Sequence, residues 1–307
     1  MKYMEWLTVW LDSYVKPLSK HNTYCCYNNL INNHIIPRLG EMELDSLTPL
    51  ALQRFSNELA ACGNSKTGEG LSPSSVNLVI TVLQRSLETA YRLGYINSYE
   101  ADKIKRPKMR ERRIECFTLS EQKQIEYAAL SHRKSKMRGI VLCLYTGLRI
   151  GELLALEWSD VDLERLEITV NKSCTDGRGE DGKYIRIVGA PKTDTSIRTV
   201  PIAAQLSELI RQMKATSTSS YVVGDATLSV RSYQRSFELL LKKLDIPHRG
   251  FHSLRHTFAT RALECGIDVR TLSELLGHKN PSVTLARYAH SMLEHKKTMI
   301  DKLGELL

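Results

Sequence analysis

The segment HSLRH, residues 252–256, places two histidines and an arginine within five residues. His252 and Arg255 are three residues apart, so they lie on the same side of a helix. The apolar run TFAT that follows puts His252 at or near the helix N-terminus, where the helix dipole and free N–H groups favour an anion. One interpretation is a capping histidine beside a surface arginine. The other is a site that binds an anionic group.

A second arginine occupies a position where an apolar residue would suit the local pattern. Arg149, in TGLRIGELLAL, follows a glycine turn and opens a helix with an apolar face. Its guanidinium is therefore expected to be half-buried, and a buried guanidinium needs an anionic partner. That partner is either Glu152 or Glu157 in a structural ion pair, or a bound anion.

Three further residues carry little information when each is considered alone. Lys192 lies in PKTDTS, a predicted hairpin turn, where a lysine is normally solvated. His278, in LLGHKNPSV, follows a glycine and precedes a new helix, and a lone histidine at such a turn is usually structural. Tyr288, in TLARYAH, is one of 13 tyrosines.

Together these residues fit the transfer of a phosphodiester. Two bidentate arginines can hold the non-bridging oxygens of a phosphate and stabilise the charge of a pentacoordinate transition state. A phenol can attack as the nucleophile and yield a phosphotyrosine. A lysine on a mobile turn can protonate the leaving oxygen. The set, in chain order, is Arg149, Lys192, His252, Arg255, His278 and Tyr288.

Composition agrees with a polyanionic substrate. The formal net charge is +9 and the sequence pI is about 9.1, values that are typical of proteins that bind nucleic acid. No run of 18 apolar residues predicts a transmembrane helix, and the N-terminus does not resemble a signal peptide. The seven cysteines are odd in number and form no CxxC pair, which favours reduced thiols in a cytoplasmic protein. No carboxylate cluster of the metal-site type is visible, so we expect neither a metal nor a cofactor.

Two domains joined by a linker are expected to position these residues. Residues 1–102 are predicted to form four helices, the clearest being SVNLVITVLQRSLETAYRLGYI, with serine caps before it and Gly94 after it. Residues 103–116 contain a basic run, which is either a solvated linker or a strap along a phosphate backbone. The candidate DNA-binding residues of this run are Lys103, Lys105, Arg106, Lys108, Arg110, Arg112 and Arg113.

Residues 117–307 are predicted to be mainly helical with a small sheet. TLSEQKQIEYAAL is a helix that Ser120 leads into, and MRGIVLCLYTGLRIGELLALEW is a buried helix, a turn at Gly147 and a second helix. The runs LEITV, YIRIVGA and IRTVPI are predicted to form one three-stranded antiparallel sheet, in which the Gly- and Asp-rich loop DGRGEDGK separates the first two runs and PKTDTS the last two. The tail, 290–307, is an amphipathic helix that either folds back on its own domain or docks elsewhere.

Five blocks in this order resemble the tyrosine recombinases, the phage integrase family. They are carried by Arg149 through Leu156, Pro191 through Thr193, and the segment HSLRHTFATRALECGIDVRTLSELLGHKNPSVTLARYAH. TPLALQRF and the linker resemble the core-binding domain of that family, a SAM-like helical domain, and residues 117–307 resemble its α+β catalytic domain. The resemblance covers nearly the whole chain.

The resemblance implies a role for each matching residue. Tyr288 would be the nucleophile, Arg149 and Arg255 would bind the scissile phosphate, and Lys192 would be the general acid on the 5′-hydroxyl. The histidines would assist, His252 in proton transfer and His278 by a hydrogen bond to the phosphate. Glu152 would orient Arg149, and His256 would pack or bond behind the site.

The resemblance also implies partners. These are double-stranded DNA with inverted-repeat core sites and other copies of the chain, which would form a tetramer in the synapse with the tail docked on a neighbouring protomer. Accessory DNA-bending or directionality factors are a further expectation. Larger family members that resemble this helical domain usually carry an arm-binding domain before it. The alternatives are a type IB topoisomerase and a catalytically inactive DNA-binding relative.

Overall fold

The computed structural model describes residues 1–65, 67–109, 115–178, 184–189, 197–278 and 300–301. The chain divides into two compact units, Met1–Arg112 and Arg113–Leu307. The division falls inside the segment that the sequence marks as a linker. Among the described residues, no helix is both long enough and apolar enough to cross a membrane.

The first unit is mostly helical, as predicted. Two of its helices continue into π-helical turns. When continuous segments are counted together, the described residues of the unit form four helices. In chain order the segments are α1 (Tyr3–Trp10) with the π-turn Leu11–Val15, α2 (His21–Leu30) with the π-turn Ile31–Ile35, α3 (Ile36–Leu39), α4 (Pro49–Cys62) and α5 (Pro73–Arg92). Short 3₁₀ turns lie at Leu44–Ser46, between α3 and α4, and at Ala101–Lys103, after α5.

The longest helix, α5, shows why this sequence folds as it does. Ser72 caps its N-terminus, where the hydroxyl accepts a hydrogen bond from the Ser75 N–H at 3.3 Å, and a proline occupies the first turn. Its buried residues recur at helical spacing, so one face of the helix enters the core of the unit. The chain leaves the helix through Gly94, whose φ of +77° lies in the left-handed region.

The second unit has seven helices among its described residues. They are α6 (Leu119–Leu130), α7 (Arg138–Thr146), α8 (Ile150–Ala155), α9 (Ser207–Ala215), α10 (Val230–Lys243), α11 (His252–Glu264) and α12 (Val269–Leu276). The cap of α6 differs from the predicted one. Thr118, not Ser120, caps the helix and forms a reciprocal capping box with Glu121.

The strands are antiparallel, as predicted, but they belong to two sheets. The prediction that the three β-rich runs share one sheet is therefore wrong. A three-stranded sheet has the order β1 (Val161–Asp162), β2 (Glu167–Val170) and β5 (Arg198–Pro201). The run YIRIVGA instead forms β4 (Tyr184–Gly189), which pairs only with β3 (Ser173–Arg178) among the described strands. Part of β3 lies in the Gly- and Asp-rich stretch predicted to be a loop.

A buried helix lies at the centre of the second unit. All residues of α7 from Gly139 to Thr146 are buried except Tyr145, and α11 packs against this helix. Gly147 ends α7 with a φ of +65°, and the chain turns there into α8. This turn brings the start of α8, with Arg149, close to the start of α11, with His252 and Arg255.

Candidate active site

Arg255 is buried in the second unit, with 2% of its surface exposed. Its Nη1 donates to the carbonyl of Gly147 at 2.8 Å, and its Nη2 donates to the carbonyl of Leu276 at 2.5 Å. Nη2 also lies 3.1 Å from Nε2 of His278. Both carbonyls belong to the C-terminal ends of helices, where the backbone carries partial negative charge. These contacts place partial negative charge beside the buried cation.

The ends of α7 and α12 are built alike. Each helix stops at a glycine in the left-handed region, Gly147 with a φ of +65° and Gly277 with a φ of +63°. Beyond Gly277 the His278 N–H donates back to the Ser273 carbonyl at 3.0 Å. His278 therefore starts from a fixed backbone position beside Arg255.

Arg149 is paired with Glu152, which decides between the two predicted ion pairs. The Arg149 side chain is 35% exposed, as expected for a half-buried residue, and its Nη1 donates to Glu152 Oε1 at 2.7 Å. The Glu152 carboxylate also accepts from the Arg149 backbone N–H at 3.0 Å, which completes a capping box on α8. Glu157 pairs with Lys172 at 2.6 Å instead.

A third arginine, Arg198, shares the same carboxylate. Its Nη2 lies 2.9 Å from Glu152 Oε2, its Nη1 lies 3.3 Å from Oε1, and its Nε donates to the carbonyl of Leu275 at 2.6 Å. Sequence reasoning missed this residue. The sequence did contain a signal for it. Arg198 lies two residues before Val200 in the predicted strand IRTVPI, and alternate residues of a strand share a face. Because Val200 faces inward, Arg198 is expected on the same inward face.

Glu152 stays ionised because of these arginines. Burial acts to raise the pKa of this carboxyl group, but hydrogen bonding to Arg198 and the charges of Arg198 and Arg149 outweigh it, and the pKa is lowered. Arg149 and Arg198 thus share the Glu152 carboxylate, and Arg255 lies at the neighbouring turn. Three guanidinium groups in one region suit an anionic ligand.

His252 begins α11, as predicted, and lies at the surface. Its ring packs edge-on against the ring of His256, with the centroids 4.5 Å apart and the planes at 84°. His252 and Arg149 line one cavity of about 510 Å³, together with Phe251 and Asp176. The described site residues therefore form two neighbouring groups, Arg149 with His252 at the cavity and Arg255 with His278 behind it.

Several predicted residues lie outside the part of the chain that the structure describes. They are Lys192, Tyr288, Arg110, Arg112 and Arg113. Within the described ranges, no group of three or more His, Cys, Asp or Glu side chains is arranged to hold a metal ion.

The part of the basic linker that the structure describes before residue 110 is hydrogen-bonded to helices of the first unit. Arg106 donates from Nη1 to the Asn77 carbonyl and to Thr81 Oγ1, both at 3.1 Å, and from Nη2 to Gln84. The backbone N–H of Lys105 donates to Gln53 Oε1 at 2.8 Å. Lys103 forms an exposed ion pair with Glu100, and Lys108 is exposed.

Comparison with models of protein families identifies the family to which this chain belongs. The model described as "Phage integrase family" matches residues 117–295, and "Phage integrase, N-terminal SAM-like domain" matches residues 2–60. The chain belongs to the phage integrase family. The N-terminal match confirms the predicted SAM-like helical domain.

Individual relatives cover most of the chain. A "Tyrosine recombinase XerC-like" protein of Caldanaerobacter subterraneus subsp. tengcongensis is 31% identical, covering 97% of this chain and 81% of the relative. The "ICEBs1 integrase" of Bacillus subtilis is 28% identical, over 94% of this chain and 79% of its own.

Solved structures share this fold. The Tn1549 transposon integrase in complex with a circular intermediate DNA superimposes with a TM-score of 0.78 at 21% identity, covering 99% of both chains. A lambda integrase tetramer bound to a Holliday junction gives a TM-score of 0.69 at 22% identity, over 92% of this chain and 78% of that one.

The protein is therefore a site-specific DNA recombinase of the tyrosine type, as predicted from the sequence. The same comparisons do not favour the alternatives of a type IB topoisomerase or an inactive relative.

Proposed function

We propose that Tyr288 cleaves one DNA strand through a 3′-phosphotyrosine and that the described arginines hold the scissile phosphate. The phenol oxygen forms a bond to phosphorus, and the bond from phosphorus to the 5′-oxygen breaks. His252 assists removal of the phenol proton, and Lys192 gives a proton to the leaving 5′-oxygen. The 5′-hydroxyl of a partner strand then attacks the phosphotyrosine and releases Tyr288.

The observation that carries this proposal is the anchoring of Arg255. A guanidinium that is 2% exposed is held by two helix-terminal carbonyls, in the same region as a second, half-exposed arginine. The two helix-terminal carbonyls fix the direction of the guanidinium, so a phosphate that approaches finds a cation already held in place. Preorganised donors of this kind stabilise charge in a transition state without reorganising.

Arg149 is suited to the outer side of the same phosphate. Glu152 is hydrogen-bonded to the Arg149 backbone N–H and to its Nη1. The Arg149 side chain is still 35% exposed, and it lines the same cavity as His252. His278, bonded to Arg255 at 3.1 Å, supplies a hydrogen bond to the phosphate from the other direction. The arginines and Lys192 supply the positive charge that the transition state requires, and the phosphotyrosine conserves the bond energy, so the proposed steps need neither a metal nor ATP.

The DNA partner is a duplex with inverted-repeat core sites, on which several copies of the chain assemble. The first domain would comprise residues 1–102, the linker 103–116 and the catalytic domain 117–307. We place the contact between copies at the tail, 290–307, where the described Ile300 is helical and 66% exposed. The lambda integrase tetramer on a Holliday junction supports such an assembly. Accessory bending factors and a cytoplasmic location complete the proposal.

The linker would contribute phosphate contacts. Lys105 and Lys108 extend exposed side chains from a backbone that Gln53 attaches to α4. Contacts of this type add affinity without sequence information. Arg106 differs, because its guanidinium is already bonded along α5, and we assign it to holding the linker in place.

A plasmid assay tests the function. The inverted repeat found beside the coding region is placed twice, in direct orientation, on a supercoiled plasmid, and a plasmid without the repeat is the control. We expect deletion circles from the first plasmid and no change in the second. Relaxation of both plasmids without deletion products would contradict recombination and support a topoisomerase.

A further inference from the structure

We infer that one helix of the first unit reads A·T base pairs in the major groove of the core site, through the amides of Asn29 and Asn33. The ligand rests on the proposed function, which supplies the duplex core site as the DNA partner. The helix consists of α2 and the π-turn that continues it, residues 21–35, and we call it the asparagine helix.

The asparagine helix has an unusual composition. It contains no Asp, Glu, Lys or Arg, and it has five asparagines, which are Asn22, Asn28, Asn29, Asn32 and Asn33. Asparagine is a poorer helix former than alanine, lysine or glutamate, because its short amide competes with the helix for backbone hydrogen bonds. Helix stability therefore does not account for the five amides.

The asparagines lie on the side of the helix that faces away from the core. Tyr27 and Ile31 are buried, with 8% and 0% of their surface exposed. A residue two positions further along a helix lies about 200° round its axis, so Asn29 and Asn33 lie opposite Tyr27 and Ile31. Both asparagines are exposed, as this geometry requires.

The amides of Asn29 and Asn33 are available to a ligand. Asn32 donates to Asn28 Oδ1 at 2.9 Å, but in the part of the chain that the structure describes Asn29 and Asn33 form no side-chain hydrogen bond. Each offers a donor and an acceptor side by side. Adenine presents the complementary pair in the major groove, an acceptor at N7 and a donor at N6, and asparagine bonds to both.

The dimensions of the asparagine helix suit the major groove. A helix with its side chains is about 10–12 Å across, and the groove is about 12 Å wide. Cys26 is exposed and lies one turn from Asn22 and from Asn29. The outer face therefore carries short side chains, which let the backbone come close to the base edges.

The charges around the asparagine helix suit the phosphates that border the groove. From Ser13 to Gly40 the chain contains no acidic residue. Lys16 and Lys20 are exposed just before the helix, and the exposed Arg85 of α5 donates to the hydroxyl of Tyr27 at 2.5 Å. These cations can contact phosphates, and no carboxylate of this segment repels the DNA.

The experiment selects preferred sequences from duplexes with a randomised core site. Tyr288→Phe is the parent protein, so that binding alone is measured, and Asn29→Ala and Asn33→Ala are made in it. Each variant should discriminate about 5- to 150-fold less at one or more A·T pairs and keep its other preferences. The urea midpoint should not fall, because alanine is the better helix former. A purely structural role predicts a lower midpoint with unchanged preferences.

Two further variants are controls in the same parent protein. Asn57→Ala removes an exposed asparagine of α4, beside Glu58, and should leave every base preference unchanged. The double variant Lys16→Ala with Lys20→Ala should weaken binding to all sequences alike, because phosphate contacts carry no sequence information.

A thiol measurement locates the helix without a substitution. Cys26 is exposed on the asparagine helix, and Cys62 is exposed at the end of α4. N-ethylmaleimide should label both in the free protein, and the selected duplex should slow the labelling of Cys26 far more than that of Cys62. Labelling of Cys26 at the same rate with and without the duplex would overturn the placement in the groove.

The outcomes of the selection separate this inference from the proposed cleavage. If Asn29→Ala and Asn33→Ala keep the preferences of the parent, the asparagine helix does not read bases. If preference is lost at G·C pairs instead, the assignment to adenine is wrong. A parent that selects no sequence would overturn both this inference and the proposed core site. Cleavage by Tyr288 is tested by its covalent adduct, and its failure would leave the selection unaffected.

Discussion

Replacing Gly147 with alanine should damage both the stability of the second unit and the site. Gly147 has a φ of +65°, and an added Cβ would meet the ring of Phe258, at 2.8 Å from Cε1, and Cδ2 of Leu276 at 3.0 Å. The left-handed backbone costs an alanine about 1–2 kcal/mol. Overpacking against the partly buried Phe258 and the buried Leu276 adds about 1–3 kcal/mol, for a total loss of about 2–5 kcal/mol in the free energy of unfolding.

Gly266 provides the matched control in the same unit. Its φ is +90°, and no atom lies within 4 Å of the position its Cβ would occupy. Gly266→Ala should therefore cost only the backbone term, about 1–2 kcal/mol. Urea denaturation of the full-length variants, followed by circular dichroism and tryptophan fluorescence, gives both values, and their difference isolates the contact with Phe258.

The same substitution should slow cleavage, because the Gly147 carbonyl accepts the hydrogen bond that anchors Arg255. A shift of that carbonyl by about 1 Å is expected to reduce the single-turnover rate about 10²-fold, with little change in DNA binding. Equal stability losses in the two variants, with normal cleavage by Gly147→Ala, would refute the reasoning. The turn would then accommodate the methyl group without moving Arg255.

Three other substitutions test separate parts of the account. Glu152→Gln should lower the free energy of unfolding by about 3–5 kcal/mol, because it removes the charge that compensates two arginines, and a loss below about 1 kcal/mol in urea denaturation would contradict this. Replacing Lys105 and Lys108 with alanine should reduce the salt slope of DNA binding by about one for each lost contact, and more than Arg106→Ala does; an unchanged slope would leave the run as a solvated linker. Truncation after Ser291 should preserve single-site binding in gel shifts but abolish cooperative pairing and recombination, and recombination at the wild-type rate would exclude docking of the tail on a neighbour.

Local patterns in the sequence predicted much of the fold. The helix α5 follows from apolar periodicity, a serine cap and a terminal glycine, all of which act within one turn or along one face. The half-burial of Arg149 follows from the apolar face of α8, and the short spacing to Glu152 made this residue one of the two predicted ion-pair partners. Information that acts over a few residues can be recovered from a single sequence.

Information that depends on distant pairing could not be recovered. The segment around Gly177 was predicted to be a loop, yet it is a strand, and Gly177 leaves space for Ile187 of the neighbouring strand. Arg198 was missed because its carboxylate lies 46 residues away in the sequence and because the register of β5 decides which way the side chain points. Neither the strand pairing at Gly177 nor the side-chain direction of Arg198 can be predicted from secondary-structure propensity or composition.

The central claim is that Tyr288 becomes covalently attached to the 3′-phosphate of DNA. The direct measurement is a denaturing gel of the protein with a nicked suicide substrate, followed by mass spectrometry of the peptide linked to the nucleotide. Tyr288→Phe removes only the hydroxyl, and Tyr127→Phe, at an exposed position in α6, is the matched control. We expect the wild type and Tyr127→Phe to form an adduct that maps to residue 288, and Tyr288→Phe to bind DNA without forming one. An adduct that persists in Tyr288→Phe, or that maps to another residue, would contradict the account.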